Sequence, residues 1–133
     1  ENALKKQILI SLNTNKPIIS SFIDPQRIRQ VLYNLLSNAL KFTPPNGKIE
    51  ISITDLKDTV SISIKDTGIG INKKDFDEIF EKFNQIDSKS NEQGSGLGLS
   101  LCKKLIEIHN GSISVFSNGI DKGTKFEISL PKK

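Results

Sequence analysis

The sequence is poor in several residue types, and each shortage limits what the chain can be. Its 133 residues include one Cys, one His and one Tyr, with no Met or Trp. A single thiol excludes an internal disulfide and fits a reducing compartment, so Cys102 is interpreted as a small buried core residue. Because there is no starting Met, we expect the sequence to be a fragment of a longer protein.

Long apolar runs and strong charge of one sign are also missing. No run approaches the roughly 20 apolar residues that cross a bilayer, and the amino end lacks a signal-peptide pattern. The net charge is only +4, and the lysine pairs are scattered without interleaved aromatic residues. We therefore expect a cytoplasmic domain that contacts neither membrane nor nucleic acid, whether or not the parent protein is membrane-anchored.

What is present suits one globular domain over residues 1–133. Hydrophobic residues make up 35% and charged residues 26% of the chain, which is not the balance of a disordered protein. The clearest periodic pattern predicts a helix that starts at Asp24-Pro25, with Asp24 as the N-cap, and ends before Pro44-Pro45. Its apolar residues are Ile28, Val31, Leu32, Leu35, Leu36, Ala39 and Leu40.

Other patterns complete an α/β arrangement of about six strands and three helices. Alternation predicts strands near residues 8–12 and 18–23, a hairpin of 49–53 and 60–64, and closing strands near 113–115 and 126–130. A shorter helix follows Asn72 as its N-cap, and a third ends near His109. One face of the shorter helix carries Phe76, Ile79, Phe80 and Phe83. We expect one sheet covered by helices.

The long helix has a polar stripe opposite its apolar one, made of Gln30, Asn34, Ser37, Asn38 and Lys41. Asparagine is a poor helix former, so two of them one turn apart suggest a use other than helix stability. An amide oxygen suits a hard cation such as Mg²⁺, and a lysine suits phosphate. Spacing alone leaves open whether this stripe is a ligand site or a solvated surface.

Two glycine-rich segments are further candidates. The segment 66–70, Asp-Thr-Gly-Ile-Gly, follows a predicted strand, and its glycines would let the backbone approach a ligand. The segment 94–98, Gly-Ser-Gly-Leu-Gly, opens a predicted helix, where free amides favour phosphate. It is neither a Walker loop nor a dinucleotide fingerprint. Each segment alone is also explained by an ordinary turn.

In this order, the segments resemble the sequence boxes of the histidine kinases. Residues 27–43 resemble the N box, 66–70 the G1 box, 79–83 the F box and 94–99 the G2 box, while 123–126 and 130–131 resemble the last strand. The resemblance spans nearly the whole chain. It implies a two-layer α/β sandwich, the Bergerat fold shared with gyrase, Hsp90 and MutL ATPases, in which three helices cover a mixed, mostly antiparallel sheet.

The resemblance also implies roles for individual residues. Asn38 would coordinate Mg²⁺, with Asn34 near the metal and Lys41 on the phosphates. Phe42 would lie against the adenine, and Asp66 would accept a hydrogen bond from its amino group. Residues 84–95 would close as a lid, and Thr124 would help to hold the adenine through a water. The remaining nucleotide-binding residues would be Gly68, Gly70, Ile71, Gly94, Gly96, Leu97 and Gly98.

The activity implied is transfer of the γ-phosphoryl group of Mg-ATP to a histidine on a missing dimerisation and phosphoacceptor domain, with a response regulator downstream. Two positions depart from related patterns. Asn34 stands where the related ATPases have a glutamate that activates water, and an amide cannot act as a general base. Gln85 stands where many relatives have an arginine that reaches the transferring phosphate. The catalytic residues predicted are Asn34, Lys41 and Gln85.

The acceptor histidine is not in the chain. The only histidine, His109, lies near a helix end and is interpreted as a terminal residue beside the helix dipole rather than as a phosphorylation site. The fragment is therefore expected to bind ATP without completing autophosphorylation alone.

Three other functions are compatible with parts of this sequence. A degenerate kinase domain would bind nucleotide and act through its surface. A serine-directed kinase of the anti-sigma type shares the nucleotide fold, but a base in place of Asn34 would help it deprotonate a hydroxyl. The Asp-Thr-Gly of residues 66–68 also matches aspartic proteases. However, the long helix and the 94–98 segment have no place in an all-β protease.

Overall fold

The computed structural model describes residues 6–16, 23–81 and 97–132. Five strands and two α-helices lie in these ranges, together with two short 3₁₀ helices. The strands are β1 (Leu9–Thr14), β2 (Lys48–Asp55), β3 (Thr59–Asp66), β4 (Ser112–Phe116) and β5 (Thr124–Pro131). The α-helices are α1 (Pro25–Phe42) and α2 (Leu97–Ile108). Within the described ranges, no helix combines the length and apolar character needed to span a membrane.

The strands form one sheet in the order β1-β2-β3-β5-β4. Only the β1–β2 pair is parallel, and the other three pairs are antiparallel. The predicted hairpin is confirmed, with Ile51 opposite Ile64. The predicted α/β sandwich with a mixed, mostly antiparallel sheet is likewise confirmed. The sixth predicted strand, near 18–23, lies outside the described residues except for Ile23.

Helix α1 begins and ends where the sequence predicts. Asp24 caps it, because its Oδ1 accepts hydrogen bonds from the amides of Gln26 at 3.1 Å and Arg27 at 3.4 Å. Such a cap contributes about 1 kcal/mol. The helix buries Ile28, Val31, Leu35 and Ala39. Burying each larger aliphatic side chain contributes about 1.5–3 kcal/mol, so this face fixes the helix on the sheet.

The helical element between α1 and α2 differs from the single helix predicted after Asn72. It consists of two 3₁₀ turns, Lys73–Asp75 and Glu78–Phe80, and the side chain of Asn72 makes no cap hydrogen bond. Ile79 is buried, and the ring of Phe80 meets that of Phe126 edge-on with centroids 6.0 Å apart. The packing of these apolar side chains therefore outweighs the helical pattern of a short segment. Phe83 lies outside the described residues.

The two α-helices run antiparallel on one face of the sheet. The amide of Asp24, before α1, donates to Nε2 of His109, after α2, at 3.0 Å. Further along, Sγ of Cys102 lies 3.8 Å from the carbonyl oxygen of Val31. Asn38 lies two turns of α1 beyond Val31, and this register places it near the amino end of α2 at Leu97. The carboxyl end of α1 and the amino end of α2 therefore point to the same edge of the sheet.

The strand register identifies that edge. Asp66 pairs with Ile49 at the start of β2 and with Thr124 at the start of β5. Asp55 occupies the opposite edge, where it pairs with Val60. The functional residues predicted on α1, β3 and β5 therefore converge on one edge, and Asp55 lies remote from them.

Candidate functional site

Asp66 is the charged group at the centre of the candidate site. It is buried at the end of β3, and its Oδ1 accepts hydrogen bonds from the amides of Gly68 at 2.8 Å and Thr124 at 3.2 Å. Burial raises the pKa of this carboxyl above its ordinary value of 3.8, and the two amide hydrogen bonds oppose the rise. No donor from the described residues bonds to Oδ2. With respect to the described residues, this oxygen can still accept a hydrogen bond from a ligand.

The loop after Asp66 needs glycine for two different reasons. At Gly68, an added Cβ would overlap with the carbonyl oxygen of Phe42 on α1. At Gly70, φ is 73°, and a Cβ would overlap with the carbonyl oxygen of Gly119. The loop is therefore wedged between the end of α1 and the segment that follows β4.

A serine that the sequence prediction missed supports this loop. Ser117 is buried, and its Oγ accepts hydrogen bonds from the amides of Ile71 at 3.1 Å and Gly119 at 3.2 Å. The same hydroxyl donates to the carbonyl oxygen of Gly123 at 2.6 Å. Its Ser-Asn-Gly context is a turn signal, but nothing in it points to Ile71, 46 residues away. The predicted site residue Ile71 is itself buried.

The end of α1 adjoins the loop through Phe42. Its carbonyl oxygen accepts a hydrogen bond from the amide of Ile69 at 3.2 Å. The side chain of Phe42 is half-buried, and Nζ of Lys41 lies 4.8 Å from the centroid of its ring, within cation–π range. The predicted adenine-contacting ring and the predicted phosphate-contacting ammonium are therefore neighbours at the same edge.

Asn34 and Asn38 lie half-buried on the face of α1 that runs along α2. The side chain of Asn34 lies close to the thiol of Cys102, which is fully buried. Burial raises the pKa of that thiol to about 11, so it remains protonated. The interpretation of Cys102 as a core residue is confirmed by its burial, and its contact with a predicted catalytic residue was missed.

Some of the remaining predicted site residues lie in the described part of the chain, and others lie outside it. Thr124 is buried beside Asp66, to which its amide is bonded. Gly98 is exposed in the first turn of α2, and Leu97 is the first residue of that helix. Gln85, Gly94 and Gly96, together with the predicted lid 84–95, lie outside the described residues.

The side chains at this site suit a Mg²⁺ ion whose ligands come mainly from the nucleotide. Over the described ranges, no group of three His, Cys, Asp or Glu side chains is arranged to hold a metal. Mg²⁺ commonly takes one or two protein oxygens and completes its shell with phosphates and water. The half-buried amide of Asn38, beside the amino end of α2, suits that mode.

His109 has a structural role. Its Nδ1 lies 2.8 Å from the carbonyl oxygen of Leu105 and must donate to it, because a carbonyl only accepts. Its Nε2 accepts from the amide of Asp24. Both ring nitrogens are therefore engaged, in agreement with the interpretation of His109 as a helix-terminal residue.

Comparison with known proteins agrees with this geometry. A family profile described as "Histidine kinase-, DNA gyrase B-, and HSP90-like ATPase" matches residues 23–133. The circadian input-output histidine kinase CikA of Synechococcus elongatus is 38% identical over 129 residues, which cover 96% of this chain and 17% of that protein. The chain spans from 13% to 33% of the length of the curated relatives it matches.

Solved structures give the same result. The catalytic domain of histidine kinase ThkA superposes with a TM-score of 0.87 at 33% identity, covering 98% of this chain and 84% of that one. ThkA in complex with the response regulator protein TrrA gives 0.83 at 32% identity, with 98% and 36% covered. Full-length ShkA in complex with AMPPNP gives 0.85 at 30% identity, with 98% and 27% covered.

Proposed function

This chain belongs to the family of histidine kinase-, DNA gyrase B- and HSP90-like ATPases, and we propose that it binds Mg-ATP and donates the γ-phosphoryl group to a histidine on a separate dimerisation and phosphoacceptor domain. Within the family it is a histidine kinase catalytic domain of the two-component type. The observation that carries the proposal is the half-satisfied, buried carboxylate of Asp66 at the edge where α1, β3 and β5 meet.

Adenine recognition would rest on Asp66. Its Oδ1 is fixed by two amides, which hold the carboxylate plane and leave Oδ2 as an acceptor. The exocyclic amino group of adenine is a donor, whereas guanine presents a carbonyl oxygen at the corresponding position. An acceptor in a buried site discriminates strongly, because the wrong ligand would leave it unpaired. ATP should therefore bind more tightly than GTP.

The phosphates would extend from this point toward α2. Asn38 lies level with the amino end of that helix, where free amides and the helix dipole favour anions. The ammonium of Lys41 lies at the same edge, over Phe42. Asn38 would hold Mg²⁺, which when bound neutralises charge that develops on the phosphates during transfer. We also assign phosphate contacts to Gly94, Gly96, Leu97 and Gly98, with Gly68, Gly70, Ile71 and Thr124 on the adenine side.

The chemistry favours transfer to an imidazole over hydrolysis. Asn34 has no proton-accepting group that could activate water. Its side chain lies close to the buried Cys102 thiol, on the face of α1 that runs along α2. Phosphoryl transfer depends mainly on positioning and charge stabilisation, and a neutral imidazole needs no base to make it nucleophilic. Gln85, a hydrogen-bonding group without charge, is the third residue that we assign to the transfer.

The phosphate acceptor would come from elsewhere in the parent protein. His109 has both nitrogens engaged in the structure, so it is a poor candidate for phosphorylation. We infer that this chain alone does not autophosphorylate and that the phosphoryl group passes from the acceptor histidine to a response regulator. The complex of ThkA with TrrA supports a partner of that class.

Calorimetric titration with ATP and GTP, in Mg²⁺ and then in EDTA, tests the proposal. The unaltered chain should prefer ATP, and Asp66→Asn should lose that preference, because its amide places a donor where Oδ2 accepts. Asn38→Ala should lose the Mg²⁺-dependent part of the affinity. Glu50→Gln, on the exposed face of β2, is a matched control for loss of one charge.

Phosphoryl transfer requires a second measurement. The chain is mixed with the dimerisation and phosphoacceptor domain of its parent protein, and acid-labile, alkali-stable phosphate is measured on that domain. Tight ATP binding without any phosphohistidine would favour a nucleotide-binding interaction module instead. Equal affinity of the unaltered chain for ATP and GTP would contradict the role of Asp66.

A further inference from the structure

The last turn of α1 leaves four backbone carbonyls without partners inside the helix. They belong to Ala39, Leu40, Lys41 and Phe42. The first is satisfied locally, because the buried hydroxyl of Thr43 donates to the carbonyl oxygen of Ala39 at 2.6 Å. The other three receive donors from distant parts of the chain, and one residue supplies two of them.

That residue is Lys6. Its Nζ donates to the carbonyl oxygens of Leu40 and Thr43, each at 2.8 Å, and lies 3.5 Å from that of Lys41. An ammonium has three donors and no acceptor, so it matches a group of carbonyls and complements the negative end of the helix dipole. The backbone holds the residue in place, because its carbonyl oxygen accepts from the amide of Asn46 at 2.9 Å.

The fourth carbonyl, that of Phe42, contacts the 66–70 loop. The oxygen of Phe42 accepts from the amide of Ile69 and stands against Gly68, where no Cβ fits. The amide of Gly68 in turn donates to Oδ1 of Asp66. The orientation of the carboxylate therefore depends on where the last carbonyl of α1 lies, and that position depends on the ammonium which holds the preceding turn.

We propose that Lys6 is a positioning residue for adenine recognition. Its ammonium fixes the carbonyl end of α1, so that Phe42 holds the 66–70 loop with Oδ2 of Asp66 presented to the base. The residue does not contact the nucleotide and acts through backbone groups. This inference rests on the proposed function, because it assumes that Asp66 reads the adenine.

Lys6→Met removes the ammonium and keeps an apolar stem of similar length. Lys57→Met is the control: it removes the same charge from the exposed β2–β3 turn, at the opposite edge of the sheet. At a temperature where both variants are folded by circular dichroism, Lys6→Met should bind ATP about tenfold more weakly, and the control should match the unaltered chain. Exchange of the Ile69 amide, followed by NMR without nucleotide, should accelerate about tenfold in Lys6→Met only.

Chemical rescue separates positioning from general destabilisation. In Lys6→Ala, added n-propylammonium should restore ATP affinity, whereas n-propanol, which lacks charge, should not. If Lys6→Met binds ATP within twofold of the unaltered chain, the inference is wrong, whatever the exchange rates show, and the proposed function stands. If the unaltered chain does not bind ATP, the proposed function fails first, and the positioning role fails with it.

Discussion

Asp24 and His109 join the start of α1 to the end of α2 across 85 positions of sequence, through the Asp24 amide and Nε2 of the imidazole at 3.0 Å. The same ring donates from Nδ1 to Leu105. This pattern requires the neutral tautomer with its proton on Nδ1. The pair fixes one end of the antiparallel helix pair, whose other end carries Asn38 and the amino end of α2.

Replacing His109 by Leu should therefore destabilise the domain without affecting nucleotide affinity. The variant loses the acceptor for the Asp24 amide, and one such hydrogen bond contributes about 1 kcal/mol to the free energy of unfolding. Urea denaturation measures the difference, and Lys103→Leu on the exposed side of α2 is the control. An unchanged midpoint would mean that the hydrogen bond contributes nothing. A large loss of ATP affinity in folded protein would mean that His109 has a role at the site.

The raised pKa of Asp66 makes ATP affinity sensitive to pH. The ionised carboxylate accepts from adenine, so affinity should fall as the pH drops through a pKa above the ordinary 3.8. The effect of pH on the free energy of unfolding has the opposite sign. The raised pKa of Asp66 stabilises the folded state at low pH, and this contribution is lost as pH rises through the folded pKa. Asp66→Asn should therefore melt no lower than the unaltered chain at pH 7.

Calorimetry from pH 7 down to the lowest pH at which the protein stays folded measures the first effect. The ratio of ATP affinities between the unaltered chain and Asp66→Asn cancels the titration of the nucleotide's own phosphates. That ratio should decline with falling pH. A constant ratio would show that the carboxylate does not titrate in contact with the base.

Cys102 should be unreactive in the folded protein. The side chain is fully buried, and burial raises the pKa of the thiol to about 11, compared with an ordinary 9.0. The thiolate is the reactive form, so at pH 8 the shift alone slows modification about a hundredfold. Labelling with an aromatic disulfide, with and without denaturant, tests this expectation. Labelling of native protein at the denatured rate would contradict the described burial.

Asp55 should stabilise the domain except in acid. Hydrogen bonds from Lys132 and Lys16 lower the pKa of this carboxyl below 3.8, and both lysines form ion pairs with it. A lowered folded pKa stabilises at pH values above the unfolded pKa, and this contribution is lost as pH falls through the folded value. Asp55→Asn should therefore unfold more easily at pH 7, and the difference should shrink below about pH 3.8.

Asp58→Asn is the matched control for that series, because its exposed side chain lies in the same turn. Urea denaturation at several pH values gives the comparison. A difference between Asp55→Asn and the unaltered chain that stays constant from pH 7 to pH 3 would show that the ion pairs are not its cause.

The sequence predicted the parts of the fold that depend on local pattern. Helix α1, its Asp24 cap and the β2–β3 hairpin all follow from the spacing of apolar residues and turn signals. The placement of Asp66 at the end of a strand also follows from alternation along β3. These features involve neighbours along the chain, so a single sequence contains the information for them.

The supporting contacts of the site could not be predicted in this way. Ser117 holds Ile71 from 46 positions away, and Lys6 caps α1 from 34 positions away. Neither residue belongs to a pattern that names its partner. The 3₁₀ turns of 73–80 were mistaken for a regular helix because apolar spacing in a short segment cannot distinguish the two.

A crystal structure of this chain with Mg²⁺ and a non-hydrolysable ATP analogue tests the proposed nucleotide site most directly. We expect the amino group of the adenine to donate to Oδ2 of Asp66, while Asn38 binds the metal and the phosphates face the amino end of α2. A purine bound away from Asp66, or a metal with no contact to α1, would contradict it.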